Sequence, residues 1–535
     1  MDLTRVFVRL LTAGFGITFA AHALAKSATS ITVAKWSRFD LTLKSSVPYA
    51  NPLQSIALDA VFVSPLGETN HVAGFWDGDK TWRVRFSPDF PGKWTYRTIC
   101  SDSANTSLDN QIGEFTCTAA LTRHALDRRG PIRVARDHRH FEHADRTPFL
   151  WLGDVAWNAA RLSELDSWQL YSAVRASQKF TASHFVIAPG KDLRGETAVS
   201  GNEIISLNLN FFRRLDEKIE ALNDAGLVAA IVPLQELANT ESELPEKQAA
   251  LLLRYAVARW GANKVAWILA VEGDTLGKKV DRWKRIGREV FGNIAHAPVI
   301  LTPGETHWLL DEFRDEDWVD AFGFSNNATG EDALQWMLAG PLSVEWRKSP
   351  ARPILSLSAP PEAAPDGGDA RRMLSWSLLM NPSAGASYAA TPIANWDTNL
   401  VTNPVMIPRN LPAWRNALFS PGARSIAPVA EFFGSIDFAS LRPASSALSV
   451  QPGLQAPRRH VAAAVNEAKN LTLVYVPEDR AVELALGAVP KSPSVNWFNA
   501  GTGDHSPALA VLKTTSCQFA TPAAGDWLLV LKSEK

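Results

Sequence analysis

Cysteine is scarce. The 535-residue chain has three, none in the closely spaced pairs that hold zinc, so a structural zinc site is not expected. No glycine-rich phosphate loop is present, which removes the usual signature of nucleotide chemistry. Charge of one sign is also lacking. Lys plus Arg number 54 against 55 Asp plus Glu, and a formal net charge of -1 gives no drive towards nucleic acid or an anionic membrane. Beyond the first residues no stretch approaches the ~20 uninterrupted apolar residues of a membrane span. The sequence thus points to no metal, no cofactor, no nucleic-acid partner and no integral membrane segment. It offers no reading of oligomeric state.

Apolar residues are ordinary in number, at 46%, which is enough to build a core. At roughly 100 to 200 residues per domain the length suggests three or four units. The 19 Trp stand out against 6 Tyr and 5 Met, and flat indole faces fill cores as well as stack on sugar rings. Residues 1–25 read as a signal peptide: Arg5 and Arg9 precede an apolar run from Leu10 to Ala21, then Ala23-Leu24-Ala25. The mature chain is therefore expected to be exported, to the periplasm or beyond. An oxidising compartment would permit a bridge between Cys100 and Cys117, with Cys517 left over.

Residues 31–120 alternate apolar and polar, as in Phe39-Asp40-Leu41-Thr42-Leu43, Asp59-Ala60-Val61-Phe62-Val63 and Trp82-Arg83-Val84-Arg85-Phe86. Period two with Gly and Pro punctuation predicts a β-sandwich. From Pro131 the pattern changes to apolar runs alternating with helical stretches. The runs are Phe149 to Gly153, Ser183 to Ala188, Leu227 to Pro233, Val265 to Ala270, Pro298 to Thr302, Val319 to Phe324, Pro353 to Leu357 and Ala384 to Tyr388. Between the second and third, Phe212, Leu215, Ile219 and Leu222 keep helical spacing, and Gly226 suits a C-terminal stop. Eight such units over residues 131–445 predict an α/β fold, a (β/α)8 TIM barrel. A doubly wound open sheet is the alternative. Ala427 to Phe433 reads as a further helix, and residues 455–535 return to period two as a second small β-sandwich.

In a (β/α)8 barrel, functional groups project just after the C-terminal ends of the strands. That filter selects Asp154 and Trp157, Gln235 and Glu236, Glu272 and Asp274, Glu305 and His307, Asn326 and Asn327, Ser358 and Tyr388. Glycosidic hydrolysis needs one carboxylic acid to protonate the leaving oxygen and a second carboxylate as nucleophile or base. Trp267-Ile268-Leu269-Ala270-Val271 would deliver Glu272 from the core to the rim with Asp274 close by, so these two are the catalytic candidates. The plainer readings are that Glu272 caps a helix or pairs with an Arg in the rim, that Asp154 is an N-cap, that Glu236 and Glu305 are solvated loop acids, and that His184 is a core or rim histidine. His307 could contact substrate, since metal binding would need ligands that are not at hand.

The three blocks together resemble secreted bacterial proteins that join an N-terminal β-sandwich, an apiosidase-like glycoside hydrolase barrel and a small C-terminal domain of collagen-binding type. The resemblance rests on Gly74-Phe75-Trp76-Asp77-Gly78 and Pro91-Gly92-Lys93-Trp94. In the barrel it rests on Phe149-Leu150-Trp151-Leu152-Gly153-Asp154 with Trp157, Arg259-Trp260-Gly261, and Ala384-Gly385-Ala386-Ser387-Tyr388 with Trp396. At the end it rests on Asn496-Trp497-Phe498-Asn499 and Gly525-Asp526-Trp527. It implies a carbohydrate substrate contacted by Asp154, Trp157, Glu236, Glu305, His307, Asn326, Tyr388 and Trp396. It also implies catalytic acids at the ends of the fourth and seventh strands. Glu272 or Asp274 fits the fourth. At the seventh, Arg352-Pro353-Ile354-Leu355-Ser356-Leu357 ends in Ser358 where the family carries Glu. Glu305 or Glu236 could take over, the barrel could bind glycans without cleaving them, or a shifted loop could bring in Glu362. A peptidase or adhesin reading lacks any nucleophile or zinc motif.

Overall fold

The computed structural model describes residues 31–235, 243–269, 278–302, 310–325, 330–340, 342–358, 367–402, 410–453, 456–478 and 480–533. Its centre is a closed parallel barrel of eight strands: β1 (Trp151–Val155), β2 (Ala182–Ala188), β3 (Val228–Leu234), β4 (Val265–Leu269), β5 (Val299–Leu301), β6 (Ala321–Ser325), β7 (Ile354–Ser358) and β8 (Gly385–Ala389). Pairing of Trp151 to Val155 with Gly385 to Ala389 closes the ring, so the open-sheet alternative falls. Each strand is buried on both faces, which is why the runs read as continuous apolar segments. Inward residues such as Ala182, Val186, Ala230, Val232, Ile268, Ile300 and Leu355 form the interior. Outward residues such as Leu152, Phe185, Ile231 and Trp267 join the larger core beneath the helices.

The helices used below are α1 (Leu165–Ser177), α2 (Leu209–Asp224), α3 (Glu246–Trp260), α4 (Lys278–Phe291), α5 (Gly368–Leu379) and α6 (Pro421–Gly434). In α2, Asn208 caps the start by accepting from the Phe211 amide, and the expected Phe212, Leu215, Ile219 and Leu222 are buried. Each such side chain contributes about 1.5–3 kcal/mol through burial. Gly226, at φ +86°, lets the chain turn down into β3 in a conformation that side chains resist.

Before the barrel lie two antiparallel-rich sheets. One contains Leu58–Val63, Gly92–Cys100 and Ile112–Thr118, and the other pairs Phe39–Lys44 with Thr81–Phe86. Between them sits a core of Phe39, Phe62, Trp82, Trp94 and Phe115. After the barrel a six-stranded and a three-stranded sheet enclose Val474, Trp497, Phe519 and Trp527.

Both flanking units are joined to the barrel by buried charge. Asp216 on α2 accepts from Arg85 at 2.9 and 3.1 Å, from Arg259 at 2.6 and 2.9 Å and from the Trp260 indole at 2.7 Å. Burial alone would raise the Asp216 pKa, but Arg85 and Arg259 outweigh it and hold the carboxyl below its ordinary range. At the other junction Arg371 on α5 grips Asp526 at 2.6 to 3.1 Å, and the Tyr475 hydroxyl donates to the same carboxylate at 2.9 Å.

All three cysteines are free and buried. Cys117 lies in register with Gly92, and Cys100 lies eight residues further along that strand. At about 3.3 Å per residue the two thiols are far beyond bridging distance, which rules out the bridge that an oxidising compartment would permit. Among the described residues no helix is long and apolar enough to cross a membrane. The expected signal, residues 1–25, lies outside them.

Candidate active site

The C-terminal ends of the strands define one face of the barrel, and there Trp157 and Gln235 come together. Trp157 follows β1 by two residues and Gln235 follows β3 directly, and the indole Nε1 donates to Gln235 Oε1 at 3.2 Å. The Trp157 ring is half-buried and packs on the barrel interior. The Gln235 amide donates to the Ala188 carbonyl at 2.7 Å, which fixes the start of the loop after β3. At the end of β5, Thr302 is buried and its hydroxyl has no partner among the described residues. The catalytic candidates Glu272 and Asp274 lie outside the described residues, as do Glu236, Glu305, His307, Asn326, Asn327 and Glu362. The backbone of Ser358 ends β7.

Three expected contacts are placed elsewhere. Asp154 was expected just beyond the first strand, but β1 begins two residues later than its apolar run suggested, because Pro148–Phe149 belongs to a separate small sheet. Asp154 thus sits within β1 with the outward parity of Leu152. It is fully buried and accepts from Arg175 Nε at 2.7 Å and from the Tyr171 hydroxyl at 2.8 Å. Burial opposes the charge on Arg175, and the Asp154 carboxylate overcomes it and raises the guanidinium pKa. Tyr388 likewise lies within β8, its hydroxyl 2.6 Å from Ser420 and its ring beside Arg175. Trp396 stacks on Trp414 at 4.1 Å between centroids and is 5% exposed. All three serve the layer between strands and helices, and their expected position at the mouth is corrected.

His184 points into the barrel, as expected of a core histidine. Its Nε2 lies 3.3 Å from Ser387 Oγ, and burial pushes its pKa down to about 3, so the ring is neutral. A Cβ on Gly153 would fall 2.4 Å from His184 Nε2, 2.7 Å from Ser387 Oγ and 2.7 Å from Trp151 Nε1. Only glycine fits this crowded polar floor. The sequence reading missed the cluster, whose one signal is Gly153 inside the otherwise bulky first strand. Among the described residues no group of three or more His, Cys, Asp or Glu is placed to hold a metal ion.

A closed eight-stranded parallel barrel with a sheet-rich unit on either side is a glycoside-hydrolase-like fold, and the comparisons with known proteins agree. Residues 135–440 match the family described as the apiosidase-like catalytic domain, and the chain belongs to that family. Residues 32–101 match a domain of unknown function (DUF5060), and residues 443–532 match the "putative collagen-binding domain of a collagenase". No curated protein matches the chain. A Bacteroides vulgatus structure described as a "putative glycoside hydrolase" superposes with a TM-score of 0.71 at 17% identity, covering 94% of this chain and 100% of its own. A glycoside hydrolase family 5 structure from Bacteroides vulgatus gives 0.63 at 16% identity, covering 76% and 93%. At such identities these two speak for the fold alone.

Proposed function

We propose that the chain is an exported glycoside hydrolase that cleaves a glycosidic bond in a complex polysaccharide or its side chains, with Glu272 as proton donor and Asp274 as the second acid. The observation that carries this reading is β4. Its five residues are wholly buried and run to the C-terminal face, and Glu272 and Asp274 follow three and five positions after Leu269 in the sequence.

In this chemistry an apolar surround keeps one carboxyl protonated until it delivers its proton to the leaving oxygen. The second carboxylate attacks the anomeric carbon or activates water. The half-buried Trp157 face and the Gln235 amide at the neighbouring strand ends suit a sugar ring, one by stacking and the other by hydrogen bonding. Glu236, Glu305, His307 and Asn326, which follow strand ends in the sequence, would complete the subsite.

A second reading, a barrel that binds glycans without cleaving them, is favoured by Ser358. It ends β7 where the resemblance implies Glu, and a lone serine cannot serve as a base at neutral pH. Reducing-sugar release from a panel of pectic and bacterial exopolysaccharides separates the two. The hydrolase reading expects release that falls about a hundredfold or more in Glu272→Gln, as loss of a general acid requires. Binding without release would establish the second reading, and unchanged turnover in the variant would move the acid to another residue.

A further inference from the structure

On the flank of the barrel, behind the short helix Ala159–Leu162 and against the first turns of α2, lies a cavity of 210 Å³. It is smaller than a drug-sized pocket, and suits a single small ring. Two buried cations line it, and neither meets a carboxylate in an ion pair among the described residues. Arg161, 8% exposed, donates to the Lys191 carbonyl at 2.6 Å and to the Asn158 side chain, and its Nε has no partner. Lys218, 5% exposed, donates to the carbonyls of Ala160 at 2.6 Å and Ser163 at 2.5 Å, leaving its third N–H unassigned. The Ser163 hydroxyl is fully buried, closed off from the cavity, and has no partner among the described residues.

Asp192 favours the charge on Arg161 against burial, but none of the described acids around this cavity makes an ion pair with either cation. Asp192 is taken by Arg214 at 2.5 Å and by the backbone amides of Arg194 and Glu196. Glu164 and Glu217 are exposed at the rim, where water screens them. Leu165, Leu193, Phe211 and Leu215 supply an apolar wall. Buried charge is costly unless paired, so two cations without an ion pair beside one open volume call for an anion.

We propose that this cavity binds the carboxylate of a single acidic sugar ring, with Arg161 and Lys218 holding the anion. The carboxylate follows from the cavity, and the sugar ring rests on the glycosidase reading above. Burial leaves Lys218 with a pKa of about 8, against the pull of Glu164, Asp192 and Glu217 and with Arg214 acting alongside burial. A bound carboxylate would raise that pKa again.

Titration calorimetry of the mature chain at pH 7 tests this, with sodium D-glucuronate as probe, D-glucose as neutral counterpart and sodium lactate as a carboxylate without the ring. The expected result is glucuronate binding at least tenfold tighter than glucose or lactate, weakened at least tenfold in Lys218→Met and Arg161→Gln. Arg194→Glu, a charge reversal at the exposed rim, leaves the core untouched and is expected to weaken binding as well. Equal affinity for glucose, no glucuronate binding, or binding indifferent to all three substitutions overturns the proposal. Lactate binding with glucuronate excluded overturns the sugar ring. Glu272→Gln is expected to retain glucuronate binding, so failure of the glycosidase reading and failure of this site are read separately.

Discussion

Arg175 and the pair Arg161 and Lys218 are buried cations on the same side of the barrel, yet their surroundings differ. Arg175 is fully buried against the Asp154 carboxylate and donates to Gln178 and the Leu418 carbonyl, while its Nη2 and Asp154 Oδ1 have no partner among the described residues. Arg161 and Lys218 meet only carbonyl and amide oxygens and face an empty volume. A buried ion pair with its own hydrogen bonds closes a structural joint, and removing one partner strands the other. A buried cation held by neutral groups keeps unspent charge. The first arrangement makes the β1, β2, β8 and α1 layer rigid, and the second leaves capacity for a ligand.

The comparison breaks most visibly at Asp154. Asp154→Ala strands Arg175 in the core and is expected to destabilise the chain by about 3–5 kcal/mol in denaturant unfolding, with no route through substrate binding. A loss below about 1 kcal/mol would show that the pair is not structural. Asp216→Asn, at the junction with the N-terminal unit, is expected to cost about 2–4 kcal/mol, less because the site keeps some solvent. Its folded pKa is depressed, so its contribution is present above the unfolded value of about 4 and is lost as pH falls below it. Acid unfolding of the wild type, monitored against the variant, should differ in that window.

Lys218 shifts stability in the same direction with pH, over a higher window. Its folded pKa is lowered from 10.5 to about 8, so the unfolded chain binds the extra proton between those values and stability rises with pH across them. Lys218→Met is expected to flatten that rise and to cost less than about 2 kcal/mol at pH 7, since no ion pair is broken. The smallest effect is expected for Ser163→Ala, within about 0.5 kcal/mol, because its hydroxyl has no partner to lose.

Much of this architecture was legible in the residues. The barrel strands fall within about two residues of their apolar runs because a strand buried on both faces needs a continuous apolar segment. The flanking sheets were legible because period two survives where one face meets solvent. Facing was harder to read. The Phe149 to Gly153 run continues from one sheet into another, and a shift of two residues moved Asp154 from the strand's end into its body. Tyr388 was misplaced for the same reason, since a terminal strand residue and a rim residue look alike in one dimension. Trp396 carries no mark that separates stacking on Trp414 from stacking on sugar.

The sequence by itself determined the order of three units, the eight-strand barrel and the family, because hydrophobic period and motif order are local properties of the chain. Only the tertiary structure decided which charges meet. Asp216 gathers Arg85 from 131 residues away and Arg259 from 43, while Arg161 and Lys218 make no ion pair among the described residues. Pairing of buried charge depends on distances that exist only once the chain has folded, and those distances separate a joint from a binding site.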